Sequence, residues 1–202
     1  MVIEGGEGSG KSSAVSWLKT ELGEENIVFT REPGGTENAE EIRELILKKR
    51  GDPLDVLTQL LLFEAVRREH VLKKIAPALA SGKHVVCDRF SASTFAYQIV
   101  AGAGSAYEEF FLATDTLVKG DIEPAHTIFL DVTPEVGLAR RANSGEALNV
   151  FDEKSVAFHR SVADGIRRYL AARPHTVIDA DQGQQEVRDG VKRVILSVLT
   201  HE

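Results

Sequence analysis

The sequence predicts an α/β fold: one parallel five-stranded sheet with helices on both faces. Three observations carry that prediction. Short apolar runs alternate with stretches of helical periodicity along the chain. The first run leads straight into a glycine-rich turn and then a helical pattern. The length of 202 residues fits a single domain with a sizeable core, taken here as residues 1–202.

The elements follow in order. Residues 1–4 open with the apolar Met1-Val2-Ile3 and form the first strand. Because the chain begins inside this strand, a few residues are expected to precede it in the natural product. Gly5-Gly6-Glu7-Gly8-Ser9-Gly10-Lys11-Ser12 comes next, with the spacing Gly, four others, Gly-Lys-Ser. Glycines let the backbone N–H groups wrap an anion, and the helix that follows points its positive end at the same place. Lys11 is a mobile charge for β- and γ-phosphates, and the Ser12 hydroxyl suits Mg2+. The motif therefore predicts a nucleoside triphosphate with magnesium as one ligand.

Helix 11–22 places Ala14, Leu18 and Leu22 on one face. Strand 26–30 runs into Arg31-Glu32-Pro33-Gly34-Gly35-Thr36, a turn shaped by Pro33 and the glycines. Helix 37–49 aligns Ala39, Ile42 and Ile46, and helix 68–80 aligns Val71, Ile75 and Leu79. Strand 84–88 ends on Asp88-Arg89. Strands 126–132 and 176–178 and helix 184–199, with Val187, Val191, Val194 and Leu199, complete the pattern. Residues 142–149 are polar, hold a glycine and join two helices. They read either as an ordinary connection or as a lid over the phosphates.

Ligands of such a sheet sit at the carboxyl ends of its strands. Asp88, at one of those ends, is placed to hold magnesium directly or through water, and Arg89 to grip a phosphate at two points. Arg31 opens onto the same edge as a second phosphate candidate. Phe63 and Arg67, four apart on one helical face, can stack on a base and donate to its edge.

Composition narrows the classes. A net charge of -7 without a basic run argues against DNA or RNA as a partner. No apolar run reaches the roughly 20 residues that span a bilayer. No signal-peptide pattern opens the chain, so a cytoplasmic location is expected. Cys87, the single cysteine, lies in an apolar stretch and suits a buried position in a reducing compartment.

These motifs, with Leu62-Phe63-Glu64-Ala65-Val66-Arg67-Arg68-Glu69-His70, Asp88-Arg89-Phe90 leading to Ala96-Tyr97-Gln98, and Leu130-Asp131-Val132-Thr133-Pro134-Glu135 before Arg140, occur in an order that resembles bacterial thymidylate kinases. The match covers nearly the whole chain. The resemblance implies a homodimeric enzyme of the P-loop nucleotide kinase type that moves the γ-phosphoryl of ATP to dTMP. It implies a catalytic set of Lys11, Glu7, Arg89 and Arg141. On the ATP side it implies Gly5, Gly6, Glu7, Gly8, Ser9, Gly10, Lys11, Ser12, Ser13 and Arg140, with Ser12 and Asp88 for magnesium.

For dTMP the resemblance implies Glu7, Arg31, Pro33, Arg43, Phe63, Arg67, Arg89, Thr94, Tyr97 and Gln98. Phe63 would stack on thymine, Arg67 donate to O4, Gln98 pair near N3, and Thr94 sit near the base. Tyr97 would pack where a 2′-OH would project, and Glu7 would accept from the 3′-OH. Arg31, Arg43 and Arg89 would hold the acceptor phosphate or line its approach. Arg140 would lie against adenine, and residues 142–152 would be the lid. Phe110-Phe111-Leu112 is a candidate dimer contact, and core packing explains that run equally well.

Three positions depart from the resemblance. Enzymes with Gly8 in the loop usually carry an arginine in the lid, and Val150 stands where it is expected; Arg140, Arg141 and Arg160 are the nearest substitutes. Ala92 replaces a common acidic residue, and Glu64 a small or aromatic one. A kinase for another deoxynucleoside monophosphate, or a nucleotide binder with impaired transfer, are therefore the competing readings.

Overall fold

The computed structural model describes residues 1–145 and 147–199; residue 146 of the candidate lid lies outside them. The elements run β1 (Val2–Gly5), α1 (Lys11–Leu22), β2 (Ile27–Arg31), α2 (Glu37–Leu47), α3 (Val56–His70), α4 (Ala76–Ala80), β3 (His84–Asp88), α5 (Ser91–Thr94), α6 (Glu108–Lys119), β4 (Thr127–Asp131), α7 (Pro134–Ala142), α8 (Val156–Leu170), β5 (His175–Asp179) and α9 (Gln184–Leu199). Among the described residues the strands form one five-stranded parallel sheet in the order β2-β3-β1-β4-β5. The predicted fold class and all five predicted strands are present, each within about one residue of its expected ends.

Alternation along the buried strands divides the core between the two faces. Ile3, Ile128 and Leu130 join Leu18 of α1 and Val187, Val191 and Ile195 of α9 on one side. Phe129 points the other way, into a cluster with Phe95, Ala96, Phe111, Val162 and Ile166. Cys87 is buried as expected.

The helices differ from expectation in two places. The stretch expected as a helix over 68–80 is the end of a longer rod: α3 starts at Val56, capped by Asp55, whose carboxylate accepts from the Leu57 and Thr58 amides at 2.8 and 3.4 Å. It then passes through a π-helical stretch, Val71–Ile75, into α4. Of Phe110-Phe111-Leu112, Phe111 is fully buried, so only its two neighbours face outward.

Register brings Gly5, Arg31, Asp88, Asp131 and Asp179 to one edge of the sheet. Chain order reverses around β1, which opens a crevice at that edge, the usual ligand position in open α/β sheets. A second π-helical stretch, Phe95–Ala103, follows α5 and carries Tyr97 and Gln98 over the crevice.

Candidate active site

One cavity of about 760 Å³ follows that edge and holds both expected ends of the site. At its centre the loop after β1 needs its glycines. Gly8 has φ 65°, and a Cβ there would lie 1.9 Å from the Gly137 carbonyl oxygen of α7. Lys11 donates to the Gly6 carbonyl at 2.6 Å and to Ser9 Oγ at 3.1 Å. Burial, helped by the neighbouring Arg89 charge, lowers the Lys11 ammonium to about 8 against the pull of Glu7, Asp88 and Glu4.

Ser12 Oγ donates to Asp88 Oδ2 at 3.0 Å. The other oxygen, Oδ1, is buried and has no hydrogen-bond partner among the described residues. A buried acceptor without a donor fits a cation, and hydroxyl plus carboxylate is the oxygen donor set that Mg2+ prefers.

Arg89 follows β3 with φ 67°, a left-handed conformation uncommon for a residue other than glycine. The turn is held by Glu4 of β1, wholly buried, which accepts from the Phe90 and Ser93 amides at 2.8 and 3.1 Å. Burial raises the Glu4 carboxyl, against the pull of Ser93 and Arg89. The Arg89 guanidinium then donates to the Gly5 carbonyl at 2.8 Å, to Ser93 Oγ at 3.0 Å and to Glu7 Oε1 at 3.0 Å. The Tyr97 hydroxyl donates to the same Glu7 oxygen at 2.8 Å. Burial alone would raise Glu7; Arg89, Lys11 and Tyr97 outweigh it and bring the carboxyl down to about 2. A fixed anion thus tethers the arginine beside the phosphate loop.

At one end the cavity is lined by Phe63, Thr94, Tyr97, Gln98, Pro33 and Arg43, with Arg31 nearby on the same wall. Arg43 donates to the Pro33 carbonyl at 2.6 Å, and Arg31 to Glu40 at 2.9 Å. Gln59 Nε2 donates to the Leu54 carbonyl at 2.7 Å, so Gln59 Oε1 must accept, and it does so from Gln98 Nε2 at 3.2 Å. That leaves Gln98 Oε1 as an acceptor, buried and without a partner among the described residues.

Arg67 stands behind Thr94, not on the cavity wall. It donates from NH2 to Thr94 Oγ1 at 2.8 Å, from Nε to Glu32 at 3.1 Å, and from NH1 to Glu64 at 2.7 Å and Asp115 at 3.1 Å. Four of its five N–H donors are thus engaged. Lys119 closes the cluster on Asp115 at 2.9 Å. His70, inside a matched motif, contacts Glu32 and Thr30 at 2.9 and 2.7 Å, a structural post for the acceptor loop.

Glu64, one of the departures, belongs to this cluster. Burial pushes its carboxyl up to about 7; Arg67 pulls it down while Asp115 and Glu32 push it up. Between the ordinary value of 4.5 and about 7 the folded protein holds a proton that the unfolded chain has released. Stability must therefore fall as pH rises through that window, by about 3 kcal/mol at 1.36 per unit. Glu64→Gln has no such proton to lose. Relative to the parent it is expected to gain stability between pH 5 and pH 8 in urea unfolding; a difference that stays constant would contradict this role.

At the other end Arg140 lines the cavity while gripping the chain after β5, with bonds to the carbonyls of Ala180 at 2.6 Å and of Asp181 and Gln182 at 3.2 Å. Gln182, Gln184 and Arg188 also line this end, and Arg188 Nε is buried without a partner among the described residues. The sequence reading missed them. Nothing but their distance from β5 marks them, and that becomes meaningful only once Arg140 is seen to fold that loop over the site.

Arg141 reaches the cavity from the last turn of α7. Val150 does not; it packs against the hydrophobic cluster with Phe63 and Phe158. His159 is buried in α8, beside Phe158. Ala92 is core.

Comparison with known proteins agrees with this geometry. The family model described as thymidylate kinase matches residues 3–191. A thymidylate kinase of Symbiobacterium thermophilum is 41% identical over 201 residues, covering 98% of this chain and 92% of its own. One from Synechococcus is 44% identical over 185 residues, covering 91% and 87%. The crystal structure of the Ehrlichia chaffeensis thymidylate kinase superposes with a TM-score of 0.74 at 31% identity, covering 96% of both chains. With a loop built for phosphates, a base-sized pocket beside it and relatives of this similarity over nearly its full length, the chain belongs to the thymidylate kinase family.

Proposed function

We propose that the chain transfers the γ-phosphoryl group of ATP to the 5′-phosphate of dTMP, giving ADP and dTDP. The observation that carries the choice of acceptor is the unpartnered Gln98 Oε1 on the wall of the base pocket. It is an acceptor and so fits the N3–H of thymine or uracil, whereas cytosine offers a lone pair at N3. Arg67, behind the wall, acts through Thr94: the Thr94 hydroxyl, which accepts from Arg67, is the matching donor for O4. Cytosine would place its amino group there, and a buried donor facing a donor costs about 1–3 kcal/mol. Phe63 stacks on the base, and Tyr97, held by Glu7, crowds the 2′ side of the sugar.

The transfer needs no general base. The second pKa of a phosphate monoester is near 6, so the attacking oxygen is already anionic at pH 7. The protein has to bring two repelling polyanions into line and neutralise them. Lys11 serves the β- and γ-phosphates and Arg89 bridges toward the acceptor phosphate. Arg31 and Arg43 line its approach, and Arg141 faces the transferring group. Ser12 and Asp88 would hold Mg2+, which, bound, would neutralise charge on the ATP phosphates. Arg140 and the loop of residues 180–182 frame adenine.

The single-domain reading with a lid at residues 142–152 rests on the same arrangement. A homodimer is supported by apolar side chains left exposed on α3 and α6, which pack side by side. Leu61, Phe110 and Leu117 are among them, the last two seven apart on one face. Among the described residues no helix is long and apolar enough to cross a membrane. A cytoplasmic enzyme is the reading that fits its nucleotide substrates.

The test is ADP formation from ATP and magnesium with dTMP, dUMP, UMP, dCMP and dGMP in parallel. Preference for dTMP, with dUMP next and dCMP far behind, is expected. Equal turnover of dCMP would remove the assigned role of Gln98. Silence with all five, while dTMP still raised Tm, would mark a binder without transfer activity.

A further inference from the structure

Arg141 and the segment after it share a buried contact that the reaction as described does not use. Arg141 donates from Nε to Asp152 Oδ1 at 3.1 Å and from NH2 to Asp152 Oδ2 at 3.2 Å, and also from NH1 to Ser144 Oγ at 3.0 Å and from NH2 to the Ala147 carbonyl at 2.8 Å. The Asp152 side chain is 0% exposed and that of Arg141 14%. The Asn149 amide donates to Oδ2 as well, at 2.8 Å, and Asn149 Oδ1 in turn accepts from the Phe151 amide at 2.8 Å. The carboxylate is therefore locked into its own turn before it meets the arginine.

Its neighbour is anchored elsewhere. The Phe151 ring lies 5.4 Å from Tyr97 and 6.3 Å from Phe63 between centroids, on the platform of the acceptor base pocket. Phe151 itself lines the cavity. Two consecutive residues thus join the two halves of the site, one ring on the acceptor platform and one carboxylate on an arginine that lines the same cavity. A planar guanidinium held at two points by a carboxylate has its direction fixed as well as its position.

We propose that Asp152 is a positioning residue: it aims Arg141 at the transferring phosphoryl group and ties that aim to the acceptor pocket through Phe151. This rests on the reading of Arg141 given under the proposed function. Ser144 and Ala147 also hold the guanidinium, but only the carboxylate fixes it at two points; without that pair its alignment is lost, and misplacement by about 1 Å can cost on the order of 10²-fold in rate. The nucleotides are bound mainly by other groups, so the loss should fall on kcat.

The experiment is steady-state ADP formation by the full chain for the parent, Asp152→Asn, Arg141→Ala and the double variant, with Tm recorded for each. Asp152→Asn is expected to lower kcat about 10²-fold with little change in KM for ATP or dTMP. The double variant is expected to be no slower than Arg141→Ala, because the two act as one unit. Where Asp152→Asn does not fold, Asp152→Glu takes its place: it keeps the charge, shifts the arginine by a methylene, and should again lower kcat alone. If Arg141→Ala turns over like the parent, the role of Arg141 itself falls. If Arg141→Ala is slow and the Asp152 variant matches the parent, or if their losses multiply in the double variant, the positioning role is overturned.

Discussion

Arg89→Ala is expected to lower kcat/KM for the transfer by about 10³–10⁵, the range found when an arginine is removed from a transferring phosphoryl group. At 1.36 kcal/mol per decade that is roughly 4–7 kcal/mol. The size follows from position. Arg89 bonds at once to the carbonyl that opens the phosphate loop, to Ser93 and to Glu7, and its guanidinium lies 5.4 Å from the Tyr97 ring centre. Removing it takes charge from between two polyanions and also releases Glu7, whose carboxyl is held at about 2 with Arg89 as the leading opposing charge. Lysine restores the charge but not the fork, so Arg89→Lys should recover little. A loss below tenfold in ADP formation would show that the bridge between the two phosphates lies elsewhere.

Arg67→Ala is expected to cost about 3–5 kcal/mol of stability, the usual consequence of leaving buried charges without their partner. Glu32, Glu64 and Asp115 converge on its guanidinium, and each of these side chains is 5% exposed or less. Lys119 answers only Asp115 among them. For a chain of this length the loss corresponds to a fall in Tm of roughly 6–20 °C, read by circular dichroism. Where the variant is still folded, dTMP should bind more weakly while the KM for ATP stays near the parent value. Equal losses for both nucleotides would mean that Arg67 serves the fold alone.

Local pattern explains what could be read without coordinates. The phosphate loop is contiguous, so Gly5 to Ser12 carry their own geometry, and the apolar runs that became strands are short and bounded. The rod of α3 and α4 was harder to delimit. Its start depends on a cap at Asp55 and its middle on a change of winding, neither of which interrupts the apolar period. The clusters around the site were the least legible. Arg67 meets Glu32 and Asp115 across 35 and 48 residues, and Arg140 meets residues 180–182 across about forty. Charges in a sequence name no partners at such separations. Glu64 looked like a deviation in the base site and is a member of a buried ionic cluster. Val150 stands where a lid arginine was expected, and its partly buried side chain packs against the core cluster.

The contact between Gly8 and Gly137 has a consequence for how this site can drift. Those two backbones touch with no room for a side chain on either, and three and four residues beyond Gly137 stand Arg140 and Arg141. Loop and helix are in effect one casting, which fixes the spacing between the adenine end and the phosphoryl end before any nucleotide arrives. A single methyl added at either glycine would move both arginines together. Variation at the donor end is therefore channelled to the far tips of those side chains and to the loops they hold, while the glycine pair itself stays fixed.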